Sequence, residues 1–277
     1  MLCYDGTKMK ATIFDIQRNS YVDGPGIRTT VFFKGCNLRC KWCHNPESQN
    51  FEKEILFYKN KCTHCGRCES LTVEDEKFFC FNDAKEICGK EYTVDEAFAE
   101  IIKDKPFYET SGGGVTFSGG ECMLQIDFLV EILKKCKENG IHTAVDTAAN
   151  VEWNRFEKIL LYTDLFLYDI KCFTENLHIE GTLVSNRLIL DNLKKLSENF
   201  DGDIIIRIPV VTGFNDDIKE LQKIADFLKS IRINKVELLP YHKMGEHKYE
   251  ALKMPCKFYS VPTEEQIEAY KDLFTIQ

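Results

Sequence analysis

Short apolar runs alternate with longer amphipathic segments along most of this chain, and the alternation predicts its secondary structure. The runs have the length of strands and fall at about 11–17, 29–33, 115–117, 142–145, 165–168, 204–208 and 235–239. The segments with helical periodicity fall at about 93–103, 124–138, from 153, 186–198, 217–230 and from 263. Thr93 with Glu96, and Thr263 with Glu265, support two of the helix starts as capping residues.

Strands that alternate with helices form a parallel sheet with the helices outside. About six strand–helix units follow one another here, which is fewer than the eight that close a barrel. The sequence therefore predicts an α/β fold, a partial and open (β/α)6 barrel. The carboxyl ends of its strands face one mouth, so polar residues that follow the strands are expected to meet there.

Residues 48–92 break this pattern. They contain Cys62, Cys65, Cys68, Cys80 and Cys88 among many charged residues, with little helical periodicity. Such a segment is typical of a small insert that is held together by metal rather than by a core. We therefore divide the chain into a barrel, residues 1–47 and 93–277, and a cysteine-rich insert, residues 48–92.

The chain has 277 residues, a formal charge of −8 and 13 cysteines. The acidic balance disfavours a general nucleic-acid surface, which needs clustered Lys and Arg. No apolar run reaches the roughly 18 residues of a transmembrane helix, and the first residues lack the features of a signal peptide. We expect a cytoplasmic monomer, in which clustered cysteines indicate metal more often than disulfides. Six scattered cysteines are expected to be small buried hydrophobic residues: Cys3, Cys88, Cys122, Cys136, Cys172 and Cys256.

The stretch from Cys36 to Cys43 carries the strongest chemical signal, with Cys40 between them in the spacing C-x3-C-x2-C. Three thiolates are one short of the four that fill a structural zinc or an ordinary iron–sulfur site. We interpret them as ligands of a [4Fe–4S] cluster with one open iron, which could chelate the amino and carboxylate groups of S-adenosylmethionine (SAM). The alternative is a structural zinc, but the candidate fourth ligand, His44, lies too close in sequence for an ordinary zinc knuckle.

Residues at the strand ends could hold the other parts of SAM. The Gly-Gly-Glu stretch suits its amino group, because glycines admit close backbone approach and glutamate is anionic. Two cations could hold the carboxylate, and an aromatic ring between the cysteines could line the adenine. The candidates are Ser118, Gly119, Gly120 and Glu121 for the amino group, Lys171 and Arg207 for the carboxylate, Asp169 and His242 for sugar hydroxyls or the amino group, and Trp42 for the adenine. An ordinary Asp169–Lys171 ion pair and a solvated Arg207 at the barrel rim are the alternatives.

Several stretches resemble one known family. Residues 35–46 resemble the cluster loop of radical SAM enzymes and, more narrowly, that of the activating enzymes of glycyl radical enzymes, such as pyruvate formate-lyase activating enzyme. The match runs from about Ile13 to the end of the chain. Further matching motifs are Asp23-Gly-Pro-Gly-Ile-Arg28, Phe117-Ser-Gly-Gly-Glu121, Asp169-Ile-Lys171, Arg207-Ile-Pro209 with Gly213-Phe-Asn-Asp216, and Leu239-Pro-Tyr-His242.

This resemblance implies an oxidoreductase that cleaves SAM reductively to a 5′-deoxyadenosyl radical. The radical abstracts a hydrogen atom from one glycine of a partner glycyl radical enzyme, and flavodoxin or ferredoxin supplies the electron. The family's clients include pyruvate formate-lyase, hydroxyproline dehydratase, and choline and glycerol lyases. A radical SAM enzyme acting on another peptide or small molecule is the alternative, and a non-catalytic metal-binding scaffold is a third hypothesis. The Asp23–Arg28 turn favours the activating enzymes.

The resemblance also implies roles for individual residues. Asp23 would meet the backbone of the partner's glycine loop, and Asp146 with Thr147 would bind a monovalent cation next to SAM. The residues implied to contact SAM are Asp169, Lys171 and His242. Two positions depart from the family pattern: Cys122 replaces a proline, and Ala148–Ala149 follow Thr147 where a glycine is usual.

Many members of that family carry an insert with two C-x2-C-x2-C-x3-C runs, which is enough for two further clusters. Only one run begins here, and alignment with the family puts the fourth ligand at Cys80. The resemblance thus implies one auxiliary [4Fe–4S] cluster, with Cys88 as the reserve ligand. Zinc is the alternative metal, because four thiolates suit either. The implied ligands are Cys62, Cys65, Cys68 and Cys80.

Overall fold

The computed structural model describes residues 9–75 and 77–274. Its strands are β1 (Lys10–Ser20), β2 (Arg28–Phe33), β3 (Glu54–Phe57), β4 (Lys85–Cys88), β5 (Lys90–Thr93), β6 (Gly114–Gly119), β7 (His142–Thr147), β8 (Leu165–Asp169), β9 (Asp203–Val210) and β10 (Lys235–Pro240). Its α-helices are α1 (Val94–Ile101), α2 (Lys105–Ser111), α3 (Ile126–Glu138), α4 (Trp153–Glu157), α5 (Glu175–Thr182), α6 (Arg187–Asn199), α7 (Ile218–Leu228), α8 (Glu246–Ala251) and α9 (Glu264–Lys271).

The main sheet of the described chain has eight strands in the order β10-β9-β8-β7-β6-β2-β1-β5. The strands from β10 to β2 pair in parallel, whereas β1 pairs antiparallel with both β2 and β5. Six parallel strands with helical crossovers confirm the predicted open α/β barrel. Their carboxyl ends lie on one side, so the loops that follow β2, β6, β7, β8 and β10 meet at its mouth.

Helix capping decides where several helices begin. Thr93 and Glu96 form the predicted capping box at the start of α1. α9 begins after Thr263 as predicted and has Glu265 in its first turn, and its capping box joins Thr263 to Gln266. Gln266 forms the box because only the third residue after the cap turns back far enough to reach the cap's backbone amide.

The core fills the space between the sheet and the surrounding helices. Leu129 of α3, Leu193 of α6 and Leu221 of α7 are completely buried, and each such side chain contributes about 1.5–3 kcal/mol of transfer free energy. Four of the scattered cysteines are buried as predicted, whereas Cys256 is half-buried and Cys3 lies outside the described residues. The buried four are Cys88, Cys122, Cys136 and Cys172.

The region predicted as an insert contains the β3–β4 hairpin, for which the sequence had predicted no strands. Lys34, whose side chain is completely buried, donates to the Glu47 carbonyl at 2.6 Å and to Glu54 Oε2 at 2.7 Å. This lysine therefore ties the hairpin to the segment that follows the three-cysteine loop. β5 begins within the segment 48–92 and ends at Thr93, and it belongs to the main sheet. The division into barrel and insert stays a prediction. None of the helices in the described part of the chain has the length and apolar content needed to span a bilayer.

Candidate active site

Cys36, Cys40 and Cys43 lie in the loop that follows β2, and all three are half-buried. Burial raises the pKa of Cys36 to about 12 and also raises the pKa values of Cys40 and Cys43, while the charge of Lys171 opposes the shift at each thiol. The free thiols are therefore protonated at neutral pH. Binding of iron has to displace those protons, because only a thiolate is a good metal ligand.

The number of sulfur ligands distinguishes a cluster from a structural zinc ion. A structural zinc needs four ligands, and this loop offers three cysteines. A [4Fe–4S] cluster bound by three thiolates keeps one iron open. The Leu38 amide, 3.4 Å from Cys36 Sγ, adds a hydrogen-bond donor to this sulfur. The donor set therefore fits a [4Fe–4S] cluster.

Gly119, the last residue of β6, and Gly120, which follows it, allow the cluster loop to approach the sheet. A Cβ on Gly119 would lie 2.3 Å from the Phe33 amide nitrogen, and one on Gly120 would lie 2.3 Å from the Gly35 carbonyl oxygen. The amides of Gly120 and Glu121 donate to the carbonyls of Phe33 and Gly35 at 2.8 and 2.9 Å. The absence of side chains thus serves the contact between two loops, in addition to any approach by a ligand.

Both carboxylate oxygens of Glu121 are already engaged within the protein. They accept from the Thr147 hydroxyl at 2.8 Å and from the amides of Ala148, Ala149 and Met123 at 3.0, 3.2 and 3.2 Å. Burial raises the pKa of Glu121 to about 7, although these hydrogen bonds stabilise the carboxylate. Its contact with the amino group of SAM stays a prediction, and its evident task in this structure is to hold the turn after β7.

A buried charge network lies below the mouth. Arg207 of β9 is 8% exposed, with Nη1 3.3 Å from Asp146 Oδ1 and Nη2 3.9 Å from Asp23 Oδ1. Ser118 Oγ donates to Asp146 Oδ2 at 2.6 Å. Among the described residues, Arg207 Nε is buried without a hydrogen-bond partner, and Asp146 Oδ1 has only its ion pair with Arg207. Buried polar atoms are rarely left unsatisfied, so the Nε of Arg207 marks a place where a polar ligand fits.

Asp169 is the last residue of β8, and Lys171 lies two residues further on. Lys171 Nζ and Asp169 Oδ2 form an ion pair at 2.6 Å. Burial alone would lower the pKa of Lys171. The interactions with Asp169 and Cys40 exceed this effect, so the pKa of this lysine is raised. Asn215 fixes the loop, because its Nδ2 donates to the carbonyls of Lys171 and Pro209 at 2.6 and 2.5 Å. The structure therefore places Lys171 near the three thiols and gives Asn215 a supporting role that the sequence had not predicted.

His242 follows β10, and its ring stacks on His44 with 3.7 Å between ring centroids. His44 Nε2 lies 3.0 Å from the carbonyl oxygen of His242. Burial and then His242 lower the pKa of His44 to about 4, so the His44 ring is neutral. The end of β10 is thus joined directly to the cluster loop at the residue after Cys43. The sequence analysis had considered His44 only as a zinc ligand and missed this contact.

Trp42 is 6% exposed and lies inside an aromatic cluster. Its ring centroid is 4.3 Å from that of Phe214 and 6.4 Å from that of Tyr259. Little of the indole is left exposed for another molecule. The predicted contact with adenine stays a prediction, and in this structure Trp42 fastens the cluster loop to the carboxyl-terminal part of the barrel.

Asp23 is held in place from two sides of its turn. Its Oδ2 accepts from the hydroxyls of Ser20 and Thr30 at 2.6 and 2.7 Å. The neighbouring side chains of Tyr21 and Val22 are 70% and 74% exposed. An ordered carboxylate next to exposed apolar residues is compatible with contact to another protein chain.

Arg28 shapes this turn, a role that the sequence analysis did not predict beyond its place in a motif. The residue is completely buried. Its Nε donates to Thr116 Oγ1 at 2.7 Å, Nη1 to the Pro25 carbonyl at 3.1 Å and Nη2 to the Val115 carbonyl at 2.6 Å. Arg28 therefore fixes the backbone that presents Asp23.

A second cysteine site lies in the region of the β3–β4 hairpin. A cavity of about 610 Å³ is lined by four cysteines together with residues of β3, β4 and the end of α8. Cys88 does not line it, because this residue is 7% exposed and lies in an apolar cluster with Leu56 and Ala251. The cysteines that line the cavity are Cys62, Cys65, Cys68 and Cys80.

The sulfur of Cys80 accepts hydrogen bonds from three backbone amides, which lower its pKa. The donors are Asn82, Lys85 and Ala84. Amide donors directed at a sulfur stabilise the thiolate, which is the form that binds a metal.

Known proteins match this chain over most of its length. A family model described as a 4Fe-4S single cluster domain matches residues 22–202. The trans-4-hydroxy-L-proline dehydratase activating enzyme of Clostridioides difficile is 43% identical, with 96% of each chain covered. The choline trimethylamine-lyase activating enzyme of Oleidesulfovibrio alaskensis is 41% identical, covering 88% of this chain and 87% of its own.

Solved structures agree with these relatives. The crystal structure of a domain of pyruvate-formate lyase-activating enzyme from Bacteroides vulgatus is 34% identical with a TM-score of 0.50, covering 58% of this chain and 92% of its own. A radical SAM methyltransferase from Sphaerobacter thermophilus has a TM-score of 0.58 at 12% identity, covering 89% of this chain and 63% of its own. At that identity the second likeness supports the fold alone.

An open α/β barrel with a three-cysteine loop at its mouth is the architecture of a radical SAM enzyme, which uses a [4Fe–4S] cluster and SAM. The close relatives narrow the class further. The chain belongs to the activating enzymes of glycyl radical enzymes. The predicted family, enzyme class and reaction, and a glycyl radical enzyme as protein partner, are thereby confirmed.

Proposed function

We propose that this enzyme installs a glycyl radical with the residues gathered at the barrel mouth, where the network of Asp23, Arg207 and Asp146 lies below the loop of Cys36, Cys40 and Cys43. The observation that carries the proposal is the buried Nε of Arg207, which has no hydrogen-bond partner in the described residues and lies in the side chain that is ion-paired with Asp146. When bound, the [4Fe–4S] cluster and SAM supply a one-electron reductive cleavage that yields methionine and a 5′-deoxyadenosyl radical. The protein's own task is to orient SAM, exclude water and present the glycine.

The charges at the mouth match the groups of SAM. Lys171 and the unpartnered Nε of Arg207 suit its carboxylate, because both side chains are cationic and little exposed. The Asp146 carboxylate, which is ion-paired with Arg207, suits the amino group or a monovalent cation. The Thr147 hydroxyl donates to Glu121 and accepts from the Ala149 amide, which leaves one oxygen lone pair for that cation.

The remaining candidates surround this core. The Ser118–Glu121 stretch would contribute backbone atoms to the amino group, and Asp169 and His242 would bind sugar hydroxyls. Trp42 would contact the adenine with the small part of its side chain that is exposed. Asp23 would meet the partner's glycine loop, with its Oδ1 facing Arg207.

We also propose that Cys62, Cys65, Cys68 and Cys80 bind an auxiliary [4Fe–4S] cluster. The observation that supports a metal site is that all four cysteines line one cavity of about 610 Å³. Zinc is the alternative metal, because four thiolates suit either. The position of Cys88 outside the cavity supports Cys80 as the fourth ligand. Flavodoxin or ferredoxin would supply the electron, and the enzyme would act as a cytoplasmic monomer, where thiols stay reduced.

The test is an anaerobic assay in which the reconstituted enzyme is reduced and mixed with SAM and a purified glycyl radical enzyme. The first client to try is trans-4-hydroxy-L-proline dehydratase, since its activating enzyme is 43% identical to this chain. We expect a glycyl radical signal in electron paramagnetic resonance together with 5′-deoxyadenosine. The Cys40→Ala variant is the control and should give neither. Formation of 5′-deoxyadenosine without a protein radical on any client would refute the proposal.

A further inference from the structure

Helix α8 holds the carboxyl-terminal end of the three-cysteine loop. Tyr249 of α8 is 6% exposed and donates its hydroxyl proton to the carbonyl oxygen of Cys43 at 2.9 Å. The preceding residue, Lys248, donates to Asn45 Oδ1 at 2.9 Å and forms an ion pair with Glu47. Consecutive side chains of one helix thus fix the backbone of a predicted cluster ligand and the segment that follows it.

The turn before α8 contacts the same part of the loop. A Cβ on Gly245 would lie only 2.7 Å from the carbonyl oxygen of His44. The stacked rings of His242 and His44 join the same two segments. The loop is therefore held at three successive residues, 43 to 45, by α8 and the turn that leads into it.

The other end of α8 reaches the second cysteine site. Ala251 packs with Leu56 and Cys88 in an apolar cluster. Ala251, Leu252 and Lys253 also line the four-cysteine cavity, which is the cavity lined by Cys62, Cys65, Cys68 and Cys80. One short helix therefore contacts both cysteine sites. A helix is a stiff connector, because backbone hydrogen bonds fix each residue to the next turn.

We propose that Tyr249 is a positioning residue for Cys43, and that α8 couples metal occupancy of the four-cysteine cavity to retention of the SAM-binding cluster. Residues that orient metal ligands typically contribute about 10–100-fold to metal affinity. Metal in the cavity orders the end of α8, and this order extends along the helix to the Tyr249 hydroxyl. The role of Tyr249 needs only the SAM-binding cluster, whereas the coupling rests on the proposed metal site of the insert.

The first test compares Tyr249→Phe with Tyr270→Phe in the reconstituted enzyme. The control removes a hydroxyl of α9 that donates to the Asp216 carbonyl, also at 2.9 Å, from a residue that is 9% exposed. Only the cluster that binds SAM changes its electron paramagnetic resonance spectrum when SAM is added. Decay of this SAM-dependent signal in the presence of a ferrous chelator therefore reports that cluster alone.

We expect the signal of Tyr249→Phe to decay about tenfold faster than that of the wild type and to have an altered spectrum. Tyr270→Phe should keep the wild-type rate and spectrum. Thermal unfolding of the metal-free proteins should show similar losses for both variants, since each loses one buried hydroxyl-to-carbonyl bond. Equal decay rates and unchanged spectra in the two variants would overturn the role of Tyr249.

The coupling is tested by hydrogen exchange of the loop amides from 36 to 45, which reports local opening of the backbone. Cys80→Ala should speed this exchange at least about fivefold, a usual size for coupling between sites. The same substitution should add little in Tyr249→Phe, where the connection is already broken. The amides of α3, which packs on β7, are the internal control and should be unaffected.

Unchanged exchange of the loop in Cys80→Ala, additive effects of the two substitutions, or equal acceleration in α3 would overturn the coupling. A wild-type protein with neither iron nor zinc in the insert would refute the proposed metal site and the coupling together. The comparison of Tyr249→Phe with Tyr270→Phe would still decide the role of Tyr249. Zinc in the insert would refute the auxiliary cluster, but the coupling would stand if the exchange results hold.

Discussion

Replacement of Cys80 and of Cys88 by alanine should have opposite consequences. Cys80 lines the four-cysteine cavity and receives three backbone amides, whereas Cys88 is 7% exposed and packs in an apolar cluster. Cys80→Ala removes a ligand, so the auxiliary cluster should be lost or strongly depleted. Cys88→Ala removes a buried sulfur atom from a site that contains no cluster, so it should leave the metal in place.

The magnitudes follow from these positions. Two complete [4Fe–4S] clusters give about 8 iron atoms per chain, and loss of the insert's cluster would leave about 4. Cys88→Ala should retain about 8 iron atoms and lower the free energy of unfolding by about 1 kcal/mol, since it deletes one buried heavy atom and leaves a small void. SAM cleavage with dithionite should persist in both variants, because the three-cysteine loop is untouched.

The measurement is iron and zinc analysis of anaerobically reconstituted protein, combined with Mössbauer spectra to count clusters. Thermal unfolding of the metal-free proteins gives the packing effect separately from metal loss. Full iron in Cys80→Ala would refute our ligand assignment. Loss of about half of the iron in Cys88→Ala would instead show that Cys88 is a ligand. Zinc in place of about four iron atoms in the wild type would refute the auxiliary [4Fe–4S] cluster.

Three further predictions concern the turns that hold the site. Arg28→Met should lower the free energy of unfolding by about 3–5 kcal/mol, because several buried acceptors lose their donor. The control Arg18→Met on the surface should lower it by less than about 1 kcal/mol. Urea unfolding of the two apoproteins measures this difference. Ala149→Gly should be close to neutral because Ala149 has a φ of 60°, where relief of about 1–2 kcal/mol of strain offsets the entropy of glycine, whereas Ala148→Gly should destabilise by about 0.5–1 kcal/mol, and equal losses in thermal unfolding would contradict this. Asp23→Asn should leave SAM cleavage with dithionite intact and reduce glycyl radical yield about tenfold, the effect of one lost contact of about 1.4 kcal/mol; equal loss of both activities would place Asp23 in SAM binding instead.

The barrel could be predicted from sequence because its parallel strands are buried on both sides and read as continuous apolar runs. The short pieces could not. β5 is four residues long and contains Lys90 and Glu91, so it lacks an apolar pattern and gains its order from pairing with β1. α5 was missed for a related reason, because its buried positions are His178, Gly181 and Thr182, which form no apolar stripe.

For the candidate site, the sequence predicted which residues take part but not which contacts their side chains make. Spacing alone indicated that Cys36, Cys40 and Cys43 act together, since ligands close in sequence need little tertiary information. The direction of a side chain is not encoded locally. Glu121 turns toward the amides after β7, and Trp42 turns into an aromatic cluster, because distant segments fill the space around them.

The open barrel leaves β10 with one partner strand in the described part of the chain. A free strand edge is also a template for unwanted association, because its backbone donors and acceptors can pair with any extended chain. Lys235 and Glu237 place charges along this edge and Pro240 ends it without an amide donor. An enzyme that acts on another protein's backbone thus has an open edge strand in its own sheet. The charges along that edge disfavour pairing with extended chains that are not its client.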